Sequence, residues 1–176
     1  MSDEKQPVLK PQDLIVAVKL ATSRSKEFTL SSLAVELGTP VANVHGSIRR
    51  AEVARLISRS SGSLRAIRTS VLEFLIHGVK YAFPALPGPT GRGMPTSTSA
   101  PVFSAYFEQG QSLPTVWPDP HGDLFGPVLL PLHHSVPAAA KTDRLFYDAM
   151  ALLDAIRTGA ARERELAVTM IQELIL

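Results

Sequence analysis

Six arginines cluster within residues 49–68 and could together bind a polyanion. One acidic residue, Glu52, interrupts this run of Arg49, Arg50, Arg55, Arg59, Arg65 and Arg68. Clustered guanidinium groups neutralise phosphates, so the run favours a nucleic-acid surface. A solvated face with an ordinary excess of positive charge is the alternative interpretation.

The distribution of charge along the chain points to the same region. The 176 residues carry a net charge of only +2. Residues 1–80 hold 12 basic and 7 acidic side chains, residues 81–135 hold 1 and 3, and residues 136–176 hold 5 and 6. The positive excess therefore belongs to the first half of the chain.

Other residue combinations offer little catalytic or metal chemistry. His121, Asp123, His133 and His134 could supply ligands, but their spacing matches no recognised site, and adjacent histidines on a strand point to opposite faces. The glycine-rich run at 88–93 has no following helix to direct amides at a phosphate. Motifs of nucleophilic serine, phosphate-loop and zinc enzymes are absent, and so is cysteine. We expect no catalytic residue, metal or cofactor, with an unfamiliar enzyme site as the alternative.

Helical periodicity predicts three helices in the first 56 residues. The first spans 11–24, with Pro11 in its first turn. Thr29 caps a second helix that ends before Gly38, and Thr39 caps a third, with Pro40 in its first turn, running to about residue 56. The short link between the second and third helices is typical of a helix-turn-helix.

The third helix has an apolar side and a polar, cationic side. Its apolar residues, at spacings of three and four, are Val41, Val44, Ile48 and Ala51. The opposite side carries Asn43, Gly46, Arg49 and Arg50, and His45 lies near the edge. Asn43 suits adenine or a local backbone partner, and His45 suits a base, a phosphate or the helix surface.

A small hairpin and a fourth helix are predicted next. Residues 56–59 and 64–65 favour short strands around a turn, so Arg59 and Arg65 flank that turn and would suit phosphates or a minor groove. The fourth helix is predicted over 66–83.

Residues 29–58, TLSSLAVELGTPVANVHGSIRRAEVARLIS, resemble the winged helix-turn-helix of prokaryotic transcriptional regulators such as the MarR and GntR types. In that resemblance, SLAVELG is the first motif helix, TPVANVHGSIRR is the recognition helix and ARLIS leads to the wing. The resemblance implies sequence-specific binding of double-stranded DNA by a homodimer. It implies base contacts from Ala42, Asn43, His45, Gly46 and Arg49.

The rest of the chain differs in composition. Residues 84–137 hold 11 of the 14 prolines and 6 of the 11 glycines, which predicts an irregular segment that packs over the helices and forms a ligand crevice or a partner surface. Two helices are predicted after it, one from Pro137 to Gly159 and one from Ala160 to about Ile175. They either form a dimer bundle or complete the core of the monomer.

The sequence thus predicts a mainly α protein in three regions: a winged helix-turn-helix over 8–83 with a three-helix core and a small wing, an irregular segment over 84–137, and a helical dimerisation or partner-binding region over 138–176. We expect a cytoplasmic DNA-binding repressor with no secretory leader and no membrane span. A protein partner or a small-molecule effector would act through the C-terminal half. The alternative is an antitoxin-like or other interaction module whose C-terminal half binds a partner protein.

Overall fold

The computed structural model describes residues 7–60, 62–107 and 113–176. About 54% of the chain is helical and two small sheets accompany the helices, so the fold is mixed α/β rather than mainly α. The first half contains α1 (Pro11–Thr22), α2 (Leu30–Glu36), α3 (Val41–Val53), β1 (Ile57–Ser60), β2 (Ser63–Ala66), α4 (Arg68–Glu73) and α5 (Val79–Ala82).

Local capping sets the ends of α2 and α3. Thr29 caps α2 as predicted, because its hydroxyl accepts a hydrogen bond from the amide three residues further on. Gly38 follows α2 with a φ of +60°, a conformation that glycine adopts without a Cβ clash. The carbonyl of Pro40 accepts the amide of Val44, so Pro40 is the N-cap of α3 and the prediction of Thr39 was wrong by one residue.

A β-hairpin follows α3 as predicted. Arg55 has a φ of +60°. This left-handed conformation is common just after the end of a helix, where glycine is the usual residue. β1 and β2 then pair antiparallel, with Ile57 opposite Ala66. The hairpin therefore begins directly beside the end of α3.

The fourth helix covers nearly the predicted residues but contains a wider turn. A π-helical turn over Phe74–Gly78 separates α4 from α5. A Cβ on Gly78 would lie 2.9 Å from Cδ2 of Phe74, so the glycine leaves space for the ring. Leu75 and Val79 still reach the core across the turn.

The described residues of 84–137 do not form the expected irregular segment, because they contain three strands. These are β3 (Pro87–Pro95), β4 (Val116–Pro118) and β5 (Leu124–Leu129). β3 pairs antiparallel with β4 and β5, and Val116 forms a parallel bridge to Val128. A Cβ on Gly93 would lie 1.9 Å from the carbonyl oxygen of Trp117, so this glycine permits close approach of two backbones rather than marking a loop.

Three helices complete the chain: α6 (Val136–Ala140), α7 (Arg144–Thr158) and α8 (Ala161–Ile175). The single helix predicted from Pro137 to Gly159 is instead two helices, α6 and α7. The Asp143 carboxylate accepts a hydrogen bond from the amide of Phe146 and so caps the start of α7. Every residue from Ala149 to Ile156 is buried in this chain. α7 therefore completes the core of the monomer, which was one of the two roles left open.

One hydrophobic core runs through all three sequence regions. At its centre lies α1, whose residues from Asp13 to Thr22 are all buried. A helix that is buried on every side needs neighbours on every side, and α1 packs against α3, α4, β2, α7 and α8. The first and last regions of the chain thus share a common centre.

A buried carboxylate attaches the sheet formed by β3, β4 and β5 to α7. Asp154 accepts hydrogen bonds from the hydroxyl of Thr96 at 2.8 Å and from Nε1 of Trp117 at 2.6 Å. Its other oxygen accepts from Arg157 at 2.8 Å, and this guanidinium also donates to the carbonyls of residues 83–84. Burial raises the pKa of Asp154, and the donors around the carboxylate oppose that effect.

Lys19 is a second buried charge, and it joins three helices. Its Nζ lies 2.5 Å from Oδ2 of Asp143, before α7, and 2.9 Å from Oε2 of Glu36 in α2. Burial raises the pKa of both carboxyl groups, but hydrogen bonds and attraction to lysine outweigh burial and leave each pKa lowered. The lysine is Lys19 for Asp143, and Lys26 and Lys19 for Glu36.

We expect these two carboxyl groups to make the protein labile to acid. A group whose pKa is lower in the folded chain stabilises the fold above its unfolded pKa, about 4, and this contribution disappears as the pH falls through the folded value. Lys19→Met should flatten the loss of stability as the pH falls below about 4, measured by urea denaturation. An equally steep loss in the variant would contradict the role of Lys19.

Candidate nucleic-acid interface

α3 buries one side and exposes the other. Its buried residues are Val44, Ser47, Ile48 and Ala51. The exposed residues Ala42, His45 and Arg49 recur at spacings of three and four, which places them in one stripe along the helix, with Val53 at its end. We call these four residues the α3 stripe. Asn43 is also exposed and lies beside the stripe, near the start of α3.

The α3 stripe presents chemistry that suits base edges. Its members are a methyl group, an imidazole, a guanidinium and an isopropyl group, and the Asn43 amide is adjacent. Arginine binds guanine O6 and N7, an amide binds adenine, and small apolar groups contact the thymine methyl. Among the described residues Arg49 forms no ion pair, so its guanidinium is available to a ligand.

Gly46 lies next to the stripe and makes room for a neighbour. A Cβ there would lie 3.3 Å from Nη1 of Arg50. A shallow cavity of about 240 Å³ beside it is lined by Pro7, Arg49 and Val53 as well. Gly46 thus supplies space rather than a contacting group.

Arg50 is partly buried and is bound to a residue of α1, unlike its exposed neighbour Arg49. Its guanidinium donates to both carboxylate oxygens of Asp13, at 2.8 and 2.7 Å, and Asp13 is fully buried. This hydrogen bond with Asp13 raises the pKa of Arg50. The predicted DNA contact from Arg50 is therefore replaced by a clamp between α1 and α3, and Asp13 is a partner that the sequence reasoning missed.

The two hairpin arginines do not share a face. Arg59 lies opposite Leu64 and Arg65 lies opposite Ser58, and side chains on adjacent cross-strand pairs point to opposite sides of a hairpin. Arg59 donates to Glu52 of α3 at 2.9 Å, so it lies on the side of the α3 stripe.

Arg65 lies on the other side of the hairpin. It is half-exposed, 3.5 Å from Oε1 of Glu27. There it joins Arg24, Lys26 and Arg68 around a cavity. Sequence spacing did not connect Arg24 and Lys26 with this site, because they follow α1, about 40 residues before Arg65.

The histidines of the second half lie in a turn rather than on a strand. The ring centroids of His133 and His134 are 4.0 Å apart, and burial together with the neighbouring His134 lowers the pKa of His133. Within the described ranges, no group of three potential metal-ligating residues occurs. The histidine pair therefore adds no ligand set to the site on α3.

No protein-family model matches the chain, and neither a curated protein nor a solved structure matches it significantly. The resemblance to winged helix-turn-helix regulators stays a prediction from the motif residues. Across the described ranges, the helices also lack the combination of length and hydropathy that would span a bilayer.

Proposed function

We propose that this protein is a sequence-specific, double-stranded-DNA-binding transcriptional regulator of the winged helix-turn-helix type, acting as a repressor. The observation that carries the proposal is the α3 stripe, exposed along a helix that follows a tight helix-helix turn and precedes a hairpin. In such motifs the second helix enters the major groove.

In the proposed complex the two faces of α3 have separate tasks. Arg49 and Asn43 contact base edges, Ala42 lies against a thymine methyl group, and His45 donates to a base or a phosphate. Arg59, on the same side, contacts a backbone phosphate in exchange for Glu52. Arg50 keeps α3 in position through Asp13 and makes no DNA contact.

A homodimer is part of the proposal, because one recognition helix covers one half-site and paired half-sites lie about 34 Å apart. Most of α7, including every residue from Ala149 to Ile156, is buried in its own chain, so we place the dimer contact on another surface. The outward side of α8, which is exposed at Arg162, Glu165 and Thr169, is available for it. Sedimentation of the protein with a selected duplex measures the stoichiometry.

The test begins with selection of binding sites from random duplexes, followed by fluorescence anisotropy. Arg49→Ala should relax preference at one base pair, at a cost of about 1–3 kcal/mol. Arg59→Ala should weaken binding to all sequences equally and reduce the slope of log affinity against log salt by about 1. The control is Arg144→Ala on α7, which removes an exposed arginine far along the chain and should change neither quantity.

Two results would remove the proposal. One is the absence of saturable duplex binding at low salt. The other is an Arg49→Ala variant that folds normally and retains both the affinity and the sequence preference of the wild type, because α3 then does not enter a major groove.

A second candidate function is a protein-interaction module of the antitoxin-like kind. It is favoured by exposed apolar residues on β5 and beside it. Phe125, on β5, is 58% exposed. Leu86 and Leu130, which are joined by a backbone hydrogen bond, are 57% and 42% exposed. Large apolar side chains left exposed in this part of the chain are candidates for contact with a partner. This candidate would lead if duplex binding were absent.

A further inference from the structure

A cationic cavity lies on the side of the hairpin that faces away from Arg59. It is formed by the end of α1 and the residues after it, by β2 and by the first turn of α4, and its volume is about 340 Å³. Four basic side chains line it: Arg24, Lys26, Arg65 and Arg68. None of the described carboxylates is part of its lining.

The acidic groups outside the cavity neutralise only part of this charge. Lys26 pairs with Glu36 at 2.5 Å, and Arg65 lies 3.5 Å from Glu27. Glu36 is already shared with the buried Lys19. The two carboxylates therefore leave the cavity with a net positive charge.

The other two cations have no carboxylate partner among the described residues. Arg24 donates weakly to the backbone carbonyls of Glu173 and Leu174, at 3.4 and 3.3 Å. Arg68 is half-buried and forms no ion pair among the residues that the structure describes. Like charges held together in a concave site focus a positive potential, and a bound anion relieves their repulsion.

The remaining lining suits a small organic anion. Leu20 supplies apolar surface, and Ser23 and Thr69 supply hydroxyl groups. The volume falls at the lower end of the range of small-molecule sites, about 300–1,000 Å³. Guanidinium groups match the geometry of phosphate oxygens with paired hydrogen bonds, and lysine adds a point charge.

We propose that this cavity binds a small phosphate-bearing ligand, in a site separate from the α3 stripe. Arg65 and Arg68 hold the phosphate oxygens, Lys26 adds charge, and the apolar surface takes the organic part. Because Arg24 also contacts the last carbonyls of α8, a ligand that attracts Arg24 changes the contact between the first half of the chain and α8.

Titration of the full chain with inorganic pyrophosphate, by calorimetry at constant ionic strength, tests the site. We expect saturable one-to-one binding and a loss of affinity of about tenfold or more in Arg68→Gln and in Arg65→Gln, the scale of one charge-assisted hydrogen bond. The matched control is Arg59→Gln, which removes an arginine from the opposite face of the same hairpin and should leave the affinity unchanged. Circular dichroism verifies that each variant folds.

The proposal is overturned if pyrophosphate shows no saturable binding, or if Arg59→Gln weakens it as much as Arg68→Gln does. A second measurement, of the affinity for double-stranded DNA, distinguishes this site from the proposed DNA interface. Arg68→Gln should retain wild-type duplex affinity, and pyrophosphate should not compete with DNA for a shared surface. A large loss of duplex affinity in Arg68→Gln would instead make the cavity part of the DNA interface. A wild-type protein that binds pyrophosphate but no duplex would remove the proposed function alone.

Discussion

Replacing Asp154 with alanine should lower the free energy of unfolding by about 3–5 kcal/mol, the scale for removing one member of a buried ion pair. The change leaves the Arg157 guanidinium without its carboxylate, and the donors of Thr96 and Trp117 lose their acceptor. These groups are buried and cannot turn to water, so each unpaired donor adds to the cost. Urea denaturation followed by circular dichroism measures the effect.

The matched control for Asp154 is on the same helix. Arg144→Ala breaks an exposed pair with Asp148, one helical turn away, and should cost less than about 0.5 kcal/mol. Asp154→Asn keeps one acceptor oxygen but loses the charge, so its effect should lie between the two. A cost below about 1 kcal/mol for Asp154→Ala would show that the hydrogen bonds of Asp154 are not what holds the sheet to α7.

Replacing Arg50 with alanine should lower the free energy of unfolding by about 2–4 kcal/mol, slightly below the range for fully buried pairs because the Arg50 side chain is partly exposed. The loss arises because Asp13 is fully buried and keeps only the Lys10 amide as a donor. Thermal and urea unfolding of the free protein measure it without DNA.

The neighbouring arginine supplies the control for Arg50. Arg49→Ala removes an exposed side chain and should change stability by less than about 0.5 kcal/mol. The two substitutions therefore separate stability from recognition at adjacent positions. If Arg50→Ala left stability intact and abolished duplex binding, Arg50 would belong to the proposed DNA surface and not to the α1–α3 clamp.

The early helices were predictable because their determinants are local. Pro11 at the start of α1, the Thr29 cap and Gly38 each act within one helical turn. The small sheet was not predictable in the same way. Its glycines are required by backbone contacts between segments far apart in sequence, and its prolines conceal the strand pattern.

The candidate site was only partly predictable for the same physical reason. The exposure of Asn43, His45 and Arg49 follows from helical spacing alone. The capture of Arg50 by Asp13 depends on a contact between residues 37 positions apart, and nothing in the run of arginines distinguishes Arg50 from Arg49. Which face of the hairpin Arg65 occupies depends on strand register, which the sequence left open.

The central position of α1 has a consequence for the order in which the chain folds during synthesis. Lys19 and its partner Asp143 are 124 positions apart, so at a usual synthesis rate α1 waits roughly 6–25 s for α7 to appear. During that time α3, the hairpin and α4 cover only part of its apolar surface. The nascent chain therefore carries an incompletely covered apolar helix from early in synthesis. Only when α7 and α8 pack against α1 is this surface buried, so that it no longer binds chaperones or promotes aggregation.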